Sequence, residues 1–166
     1  MLLLVNLFQI IRFAFRERIA QFKDEELQLR QIIFSELSNF EARNLLNLGF
    51  WIDASPGEEL IREESAVENL YYLSRGEATV YNNGNIVGYC KTGDLIGEGT
   101  ILASNRASGT VIVSKKSHLW CVPAPKLRHY LSTRPEVRNQ MERRIGDSLK
   151  SKLHESNRTL ASIRGA

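Results

Sequence analysis

The sequence predicts a mainly β domain with flanking helices, an α+β arrangement in which a small antiparallel β-roll or jelly-roll barrel lies between N-terminal helices and C-terminal helices. Three observations lead there. Apolar residues recur at three- and four-residue intervals over residues 24–48. Residues 50–122 break into short apolar runs separated by turn dipeptides, and helical periodicity returns from Pro125 onward.

The first eleven residues, MLLLVNLFQII, are apolar except for Asn6 and Gln9, and Arg12, Arg16 and Arg18 follow at once. A membrane span needs about 20 apolar residues, so this run is too short to cross alone, and no small-residue cleavage site follows it as a secretory leader requires. Two readings stand. The segment is an amphipathic helix packing on its own domain or on a second copy, or it is the last turns of a membrane segment, with the arginines on the cytoplasmic side. The expected organisation is an apolar and basic helical segment over residues 1–30, membrane-proximal in the second reading, followed by one folded domain over residues 31–160.

Within residues 24–48, Leu27, Ile32, Ile33 and Leu37 mark one short helix and Phe40, Leu45, Leu46 and Leu48 a second. Ser38 or Asn39 separates them as a cap, with Glu41 in the first turn. Strands are expected over residues 50–54, 59–62, 69–74, 77–81, 86–90, 110–114 and 118–122. They are punctuated by Pro56-Gly57, Arg75-Gly76, Asn82-Asn83-Gly84, Thr92-Gly93 and Gly109. Asn83-Gly84 is the clearest hairpin signal. Around residues 97–102 strand character lapses into a glycine-rich stretch that suits a short helix. Leu127, Tyr130 and Leu131 then mark a short helix, and Val137, Met141, Ile145, Leu149 and Leu153 a longer one beginning after Pro135. The strict four-residue spacing makes this last stripe drift round its helix, which suits packing on its own domain or a homodimer seam.

At 166 residues, 43% hydrophobic and 25% charged, the chain has the composition of one ordinary folded domain. Its net charge of +3 is unevenly spread: residues 1–114 carry 10 Lys/Arg against 15 Asp/Glu, and residues 115–166 carry 12 against 4. The basic last third reads as a solvated helix face, or as attraction to an acidic partner or an anionic membrane surface. Cys90 and Cys121 form no Cys-x-x-Cys pair, which fits a reducing, cytoplasmic setting. His118, His129 and His154 make no metal-ligand spacing, so neither a metal site nor a metalloenzyme on a similar barrel is expected.

Pro56-Gly57-Glu58-Glu59-Leu60-Ile61-Arg62-Glu63 and Asn69-Leu70-Tyr71-Tyr72-Leu73-Ser74-Arg75-Gly76-Glu77-Ala78-Thr79-Val80 come first. Gly93-Asp94-Leu95-Ile96-Gly97-Glu98, Arg106-Ala107 and Leu119-Trp120 follow. In this order they resemble the opening strands, phosphate-binding cassette and closing strand of the cyclic-nucleotide-binding domain family. The resemblance implies a β-roll of that type with the last helix as a lid. It places the ligand at Gly97, Glu98, Gly99, Thr100, Arg106, Ala107 and Ser108, with no cofactor and no catalytic residue. The alanine after the arginine resembles cAMP-type sites more than cGMP-type ones.

Each matched residue also has a chemical reason to be there. The guanidinium of Arg106 can donate paired hydrogen bonds to the two free oxygens of a cyclic phosphodiester. The carboxylate of Glu98 can accept from a ribose 2'-hydroxyl. Gly97 and Gly99 allow close backbone approach, and Ala107 and Ser108 offer further N–H or hydroxyl donors. Without the flanking match, Glu98 and Arg106 would read as a surface ion pair bridging a loop. No nucleophile or second carboxylate stands near Glu98 in sequence, so it is read as an anchor rather than a general base.

Val5-Asn6-Leu7-Phe8 and Ile145-Gly146-Asp147-Ser148-Leu149-Lys150-Ser151-Lys152-Leu153 resemble the flanks of the Popeye branch, which implies placement at the inner face of a membrane. The cassette itself, Ile96-Gly97-Glu98-Gly99, is of the bacterial-regulator and kinase-regulatory-subunit kind. Two departures stand out: the Glu98-to-Arg106 interval is a residue or two shorter than usual, and Glu64 stands where a turn glycine is common. Only thirteen residues follow Leu153, too few for a helix-turn-helix, so DNA is not an expected partner. The expected function is a non-catalytic sensor of cyclic nucleotide. The alternative is a membrane-proximal scaffold with the same fold that has lost nucleotide binding.

Overall fold

The computed structural model describes residues 23–101 and 106–164, without the side chains of Thr100, Ile101, Leu153 and residues 155–164. The apolar start of the chain and its membrane reading fall outside the described residues. Helix α1, Asp24–Ile33, opens with Asp24, Glu25 and Glu26, which complement the helix dipole. The Glu26 carboxylate also accepts from the Lys23 N–H at 2.8 Å. Helix α2, Asn39–Leu46, is capped by Ser38 rather than Asn39. Ser38 Oγ accepts from the Glu41 N–H at 3.2 Å and the Glu41 carboxylate accepts from the Ser38 N–H at 3.2 Å, a reciprocal capping box. Arg43 ties the two helices by a fork onto Glu26 at 2.9 and 3.0 Å.

The β-region contains β1 (Phe50–Ala54), β2 (Glu59–Ile61), β3 (Asn69–Asn82), β4 (Asn85–Lys91), β5 (Leu95–Ile96) and β6 (Thr110–Pro123). All pairings are antiparallel, in the order β1-β6-β3-β4, with β2 also on β6 and β5 on β3. Two expectations are corrected. Residues 69–74 and 77–81 form one 14-residue strand, and so do residues 110–114 and 118–122. Arg75-Gly76 is therefore not a turn: register shifts at Leu73/Arg75, Arg75/Glu77 and Glu77/Ala78, with Gly76 at φ 107°, bend β3 while it stays in the ladder. β2 ends at Ile61, one residue early. The two-residue β5 carries too little pattern to be seen in sequence. Asn83 (φ 48°) and Gly84 (φ 77°) supply the consecutive left-handed residues of the hairpin joining β3 to β4.

Period-two alternation on the long strands divides the core. Tyr71 and Leu73 of β3 with Leu119 and Cys121 of β6 face the barrel interior, together with Ile61, Ala78, Ile96 and Val113. Leu70, Tyr72, Trp120 and Val122 face outward, where α1, α2, α4 (Ala124–Ser132) and α5 (Pro135–Arg164) cover them. Val137, Met141 and Ile145 of α5 are buried in that outer layer and Leu149 packs against it. From Val137 to Leu149 the drifting stripe thus packs on its own domain.

One polar cluster joins α1 to the barrel. His118 Nδ1 donates to Asp53 at 2.7 Å, its Nε2 lies 3.3 Å from Glu25, and its ring stacks on Trp51 with centroids 5.1 Å apart. Arg75 completes the cluster at 3.2 Å from Glu25. The hydrogen bond from His118 holds the Asp53 carboxyl below its ordinary 3.8. A carboxyl lowered by folding stabilises the fold above its unfolded value, and that contribution is lost as pH falls through the folded one. Thermal melts of Asp53→Asn between about pH 5 and pH 2 are therefore expected to decline less steeply than those of the wild type. Parallel profiles would assign the acid sensitivity elsewhere.

Candidate ligand-binding site

The chain leaves β5 through Gly97 at φ 89°. A Cβ there would lie 3.0 Å from Val67 Cγ1 and 3.1 Å from the Asn69 carbonyl, so both conformation and space call for glycine. This turn delivers Glu98 as the first residue of the four-residue helix α3, Glu98–Ile101. The Glu98 side chain is only 5% exposed and is ion-paired with Lys152 Nζ of α5. The same ammonium donates to the Leu95 carbonyl at 2.5 Å. Gly99 faces α5 as well, at Leu149, and its own surface is open.

The second half of the site is residues 106–108. Arg106 forms an isolated antiparallel bridge with Ala66, and its Nη1 donates to the Glu64 carbonyl at 2.5 Å. Ala107 is buried in the barrel interior, its N–H bonded to Ser65 O at 2.9 Å and its carbonyl to the Glu64 N–H at 2.9 Å. The Ala107 N–H expected to serve a ligand is therefore already engaged. Ser108 is exposed, and its carbonyl accepts from Asn82 Nδ2 at 2.7 Å. Glu64 adopts φ 60°, the left-handed conformation for which glycine is the ordinary choice.

Among the described residues no ion pair joins Glu98 to Arg106: the carboxylate is turned to α5 and the guanidinium to the 64–66 turn. A surface ion pair bridging the loop is thus not what holds these two side chains. A cleft of 370 Å³ separates α3 from α5, with Glu98 and Gly99 on one side and Arg138, Glu142, Ile145 and Leu149 on the other. Arg138 and Glu142 are paired at 2.7 Å on its rim. Beside the site, burial pushes the Cys90 thiol up to about 11, which makes it a poor nucleophile. Among the described residues no group of His, Cys, Asp and Glu is arranged to hold a metal ion, and no helix is long and apolar enough to cross a membrane.

Lys152 was not among the residues expected at the site. Its helix was legible as basic, but nothing in that run of cations distinguishes the one whose ammonium reaches a carboxylate 54 residues earlier.

The family model for the cyclic nucleotide-binding domain matches residues 52–134, half of the chain. The chain belongs to the cyclic nucleotide-binding domain family. The matched residues run from β1 to the end of α4 and contain every residue expected at the ligand, while α5 and Lys152 lie beyond them. Solved cyclic nucleotide-binding domains have the same fold. The one from Methylobacillus flagellatus KT is 22% identical, with a TM-score of 0.72 over 82% of this chain and 83% of that one. The C-linker/CNBHD of zELK channels, crystallised in the presence of cAMP, is 24% identical, with a TM-score of 0.68 over 81% of this chain and 69% of that one. The catabolite activator protein of Thermus thermophilus is 15% identical, with a TM-score of 0.60 over 80% of this chain and 62% of that one.

Proposed function

We propose that this cyclic nucleotide-binding domain is a non-catalytic sensor of cAMP. In this reading Glu98 accepts from the ribose 2'-hydroxyl, Arg106 clamps the phosphodiester, Gly97, Gly99, Thr100, Ala107 and Ser108 line the sugar-phosphate, and α5 is the lid. The observation that carries it is the placing of a buried carboxylate, Glu98, on a glycine-only turn directly beneath α5, inside the family match. Such a carboxylate is a strong acceptor for a ligand hydroxyl shielded from water. Ala107 next to the arginine favours adenine over guanine, by the resemblance described above.

Calorimetric titration with cAMP and cGMP tests this. Arg106→Ala is expected to weaken cAMP binding by about 2–3 kcal/mol, the worth of hydrogen bonds between a guanidinium and a phosphate. Unchanged affinity in that variant would sink the assignment.

A second reading has its own observation. With Lys152 on Glu98 and Arg106 on the Glu64 carbonyl, both polar anchors already have partners within the chain. That arrangement suits a scaffold that keeps the fold without the ligand, with the apolar start of the chain and the basic helix holding a cytoplasmic membrane face as in the Popeye branch. Millimolar cAMP or cGMP that leaves the melting temperature unmoved, together with vesicle binding lost on removal of residues 1–18, favours the scaffold.

A further inference from the structure

We propose that Lys152 is a resident occupant of the Glu98 carboxylate: it pins α5 onto the cassette while no ligand is bound, and a ribose hydroxyl must displace it. The inference rests on the assignment of Glu98 as ribose acceptor. Its evidence is separate from the family match, because Lys152 lies beyond residues 52–134.

The contact is built from both sides of the Gly97 turn. Lys152 Nζ takes the Leu95 carbonyl, on β5 before the turn, and the Glu98 carboxylate, on α3 after it. An ammonium has three donors and no acceptor, so these two partners nearly complete its needs. The burial is unequal: Glu98 is 5% exposed and the Lys152 side chain 33%. A pair with both ends in water contributes little. Here the carboxylate is shut away from water, and pulling the lysine off leaves a buried negative charge uncompensated. Release of Lys152 therefore requires another donor to reach Glu98.

The rest of α5 is held by other means. Its first half is anchored by Val137, Met141 and Ile145 in the outer core, and by Arg143 and Arg144 on Glu36 in the connection between α1 and α2. Over α3 the helix is held by a contact of a different kind, the Lys152 ion pair, one turn beyond Leu149, which still packs on the outer core. Loss of the lysine contact would free the later part of the helix while the earlier part stays docked, so the ligand's competitor is also the catch on the lid.

Competition of this kind multiplies the intrinsic affinity by the fraction of molecules in which the carboxylate is free, and so lowers it. Lys152→Met keeps the length of the side chain and removes its charge, leaving Glu98 dependent on the incoming hydroxyl. It is expected to bind cAMP about tenfold more tightly than the wild type, a gain equal to one well-made charged hydrogen bond. A second readout follows the amine itself: acylation of Lys152, measured by mass spectrometry, is expected to be slow in the unliganded protein. It should accelerate several-fold with saturating cAMP, and likewise in Glu98→Gln without ligand.

Equal or weaker cAMP binding by Lys152→Met overturns the proposal, as does Lys152 reactivity indifferent to cAMP. If binding in that case is still lost on Arg106→Ala, the site assignment survives the failure of the catch. Absence of binding to both wild type and Lys152→Met at millimolar cAMP and cGMP overturns the site assignment and the displacement together. Circular dichroism melts of each variant separate these outcomes from unfolding of α5.

Discussion

Trp120→Ala is expected to destabilise the domain by about 3–5 kcal/mol, the range for removing a fully buried aromatic side chain. Trp120 is 1% exposed where the barrel meets the helices, with its ring edge-on to Phe34 at 6.2 Å. Its Nε1–H donates to the Leu46 carbonyl at 3.1 Å, at the end of α2. Truncation opens a cavity and removes one of the two hydrogen bonds the Leu46 carbonyl accepts, leaving it only the Gly49 N–H at 3.2 Å. Gly49 is part of this arrangement, since a Cβ there would lie 2.6 Å from the indole and 2.5 Å from the Cys121 carbonyl. Trp120→Phe retains most of the packing and loses the hydrogen bond, so its urea midpoint should fall between those of the wild type and the alanine variant. A phenylalanine variant as unstable as the alanine one would shift the weight from packing to the hydrogen bond.

Gly76→Ala is the second large effect, at roughly 2–5 kcal/mol from backbone strain and overpacking combined. At φ 107° an L side chain is strained whatever the space around it. The space is also taken, because a Cβ would meet Ser117 Oγ at 2.1 Å and Ser117 Cα at 2.6 Å. The bulge brings β3 against β6 at this point, and Ser117 Oγ accepts from the Glu77 N–H at 3.3 Å across it. In urea unfolding, Ser117→Gly in the Gly76→Ala background should recover part of the loss, because the side-chain clash disappears while the crowding against the residue 117 backbone and the φ strain remain. Full recovery would mean that backbone strain contributes nothing. No recovery would mean that the side-chain clash contributes nothing.

Much of this architecture is local and therefore legible in residue order. The Ser38-Glu41 box, the Asn83-Gly84 hairpin and the start of α5 at Pro135 each depend on side chains within a few positions of one another. The fold class follows from the switch of apolar period at Gly49 and again near Pro125. The lengths of β3 and β6 were not legible. A glycine after arginine reads as a turn in sequence, and only the pairing partner reveals that the chain bends and carries on. Gly97, Glu98 and Arg106 could be named as candidate positions only through the resemblance of the ordered strands around them to the family, and the chemistry of a ribose and a phosphodiester gave each a reason to be there.

By itself the sequence determined the class of the domain, its helix caps and hairpin, and the residue types offered to a ligand, all of which rest on short-range geometry. Tertiary structure alone decided which groups those residues meet. Glu98 is buried because α5 lies across it, and Lys152 is its partner because a helix more than fifty residues away places one ammonium there. Arg106 turns to the Glu64 carbonyl because the 64–66 turn pairs with the 106–107 segment. Charge complementarity across such distances has no period and no motif. It appears only when the chain has packed.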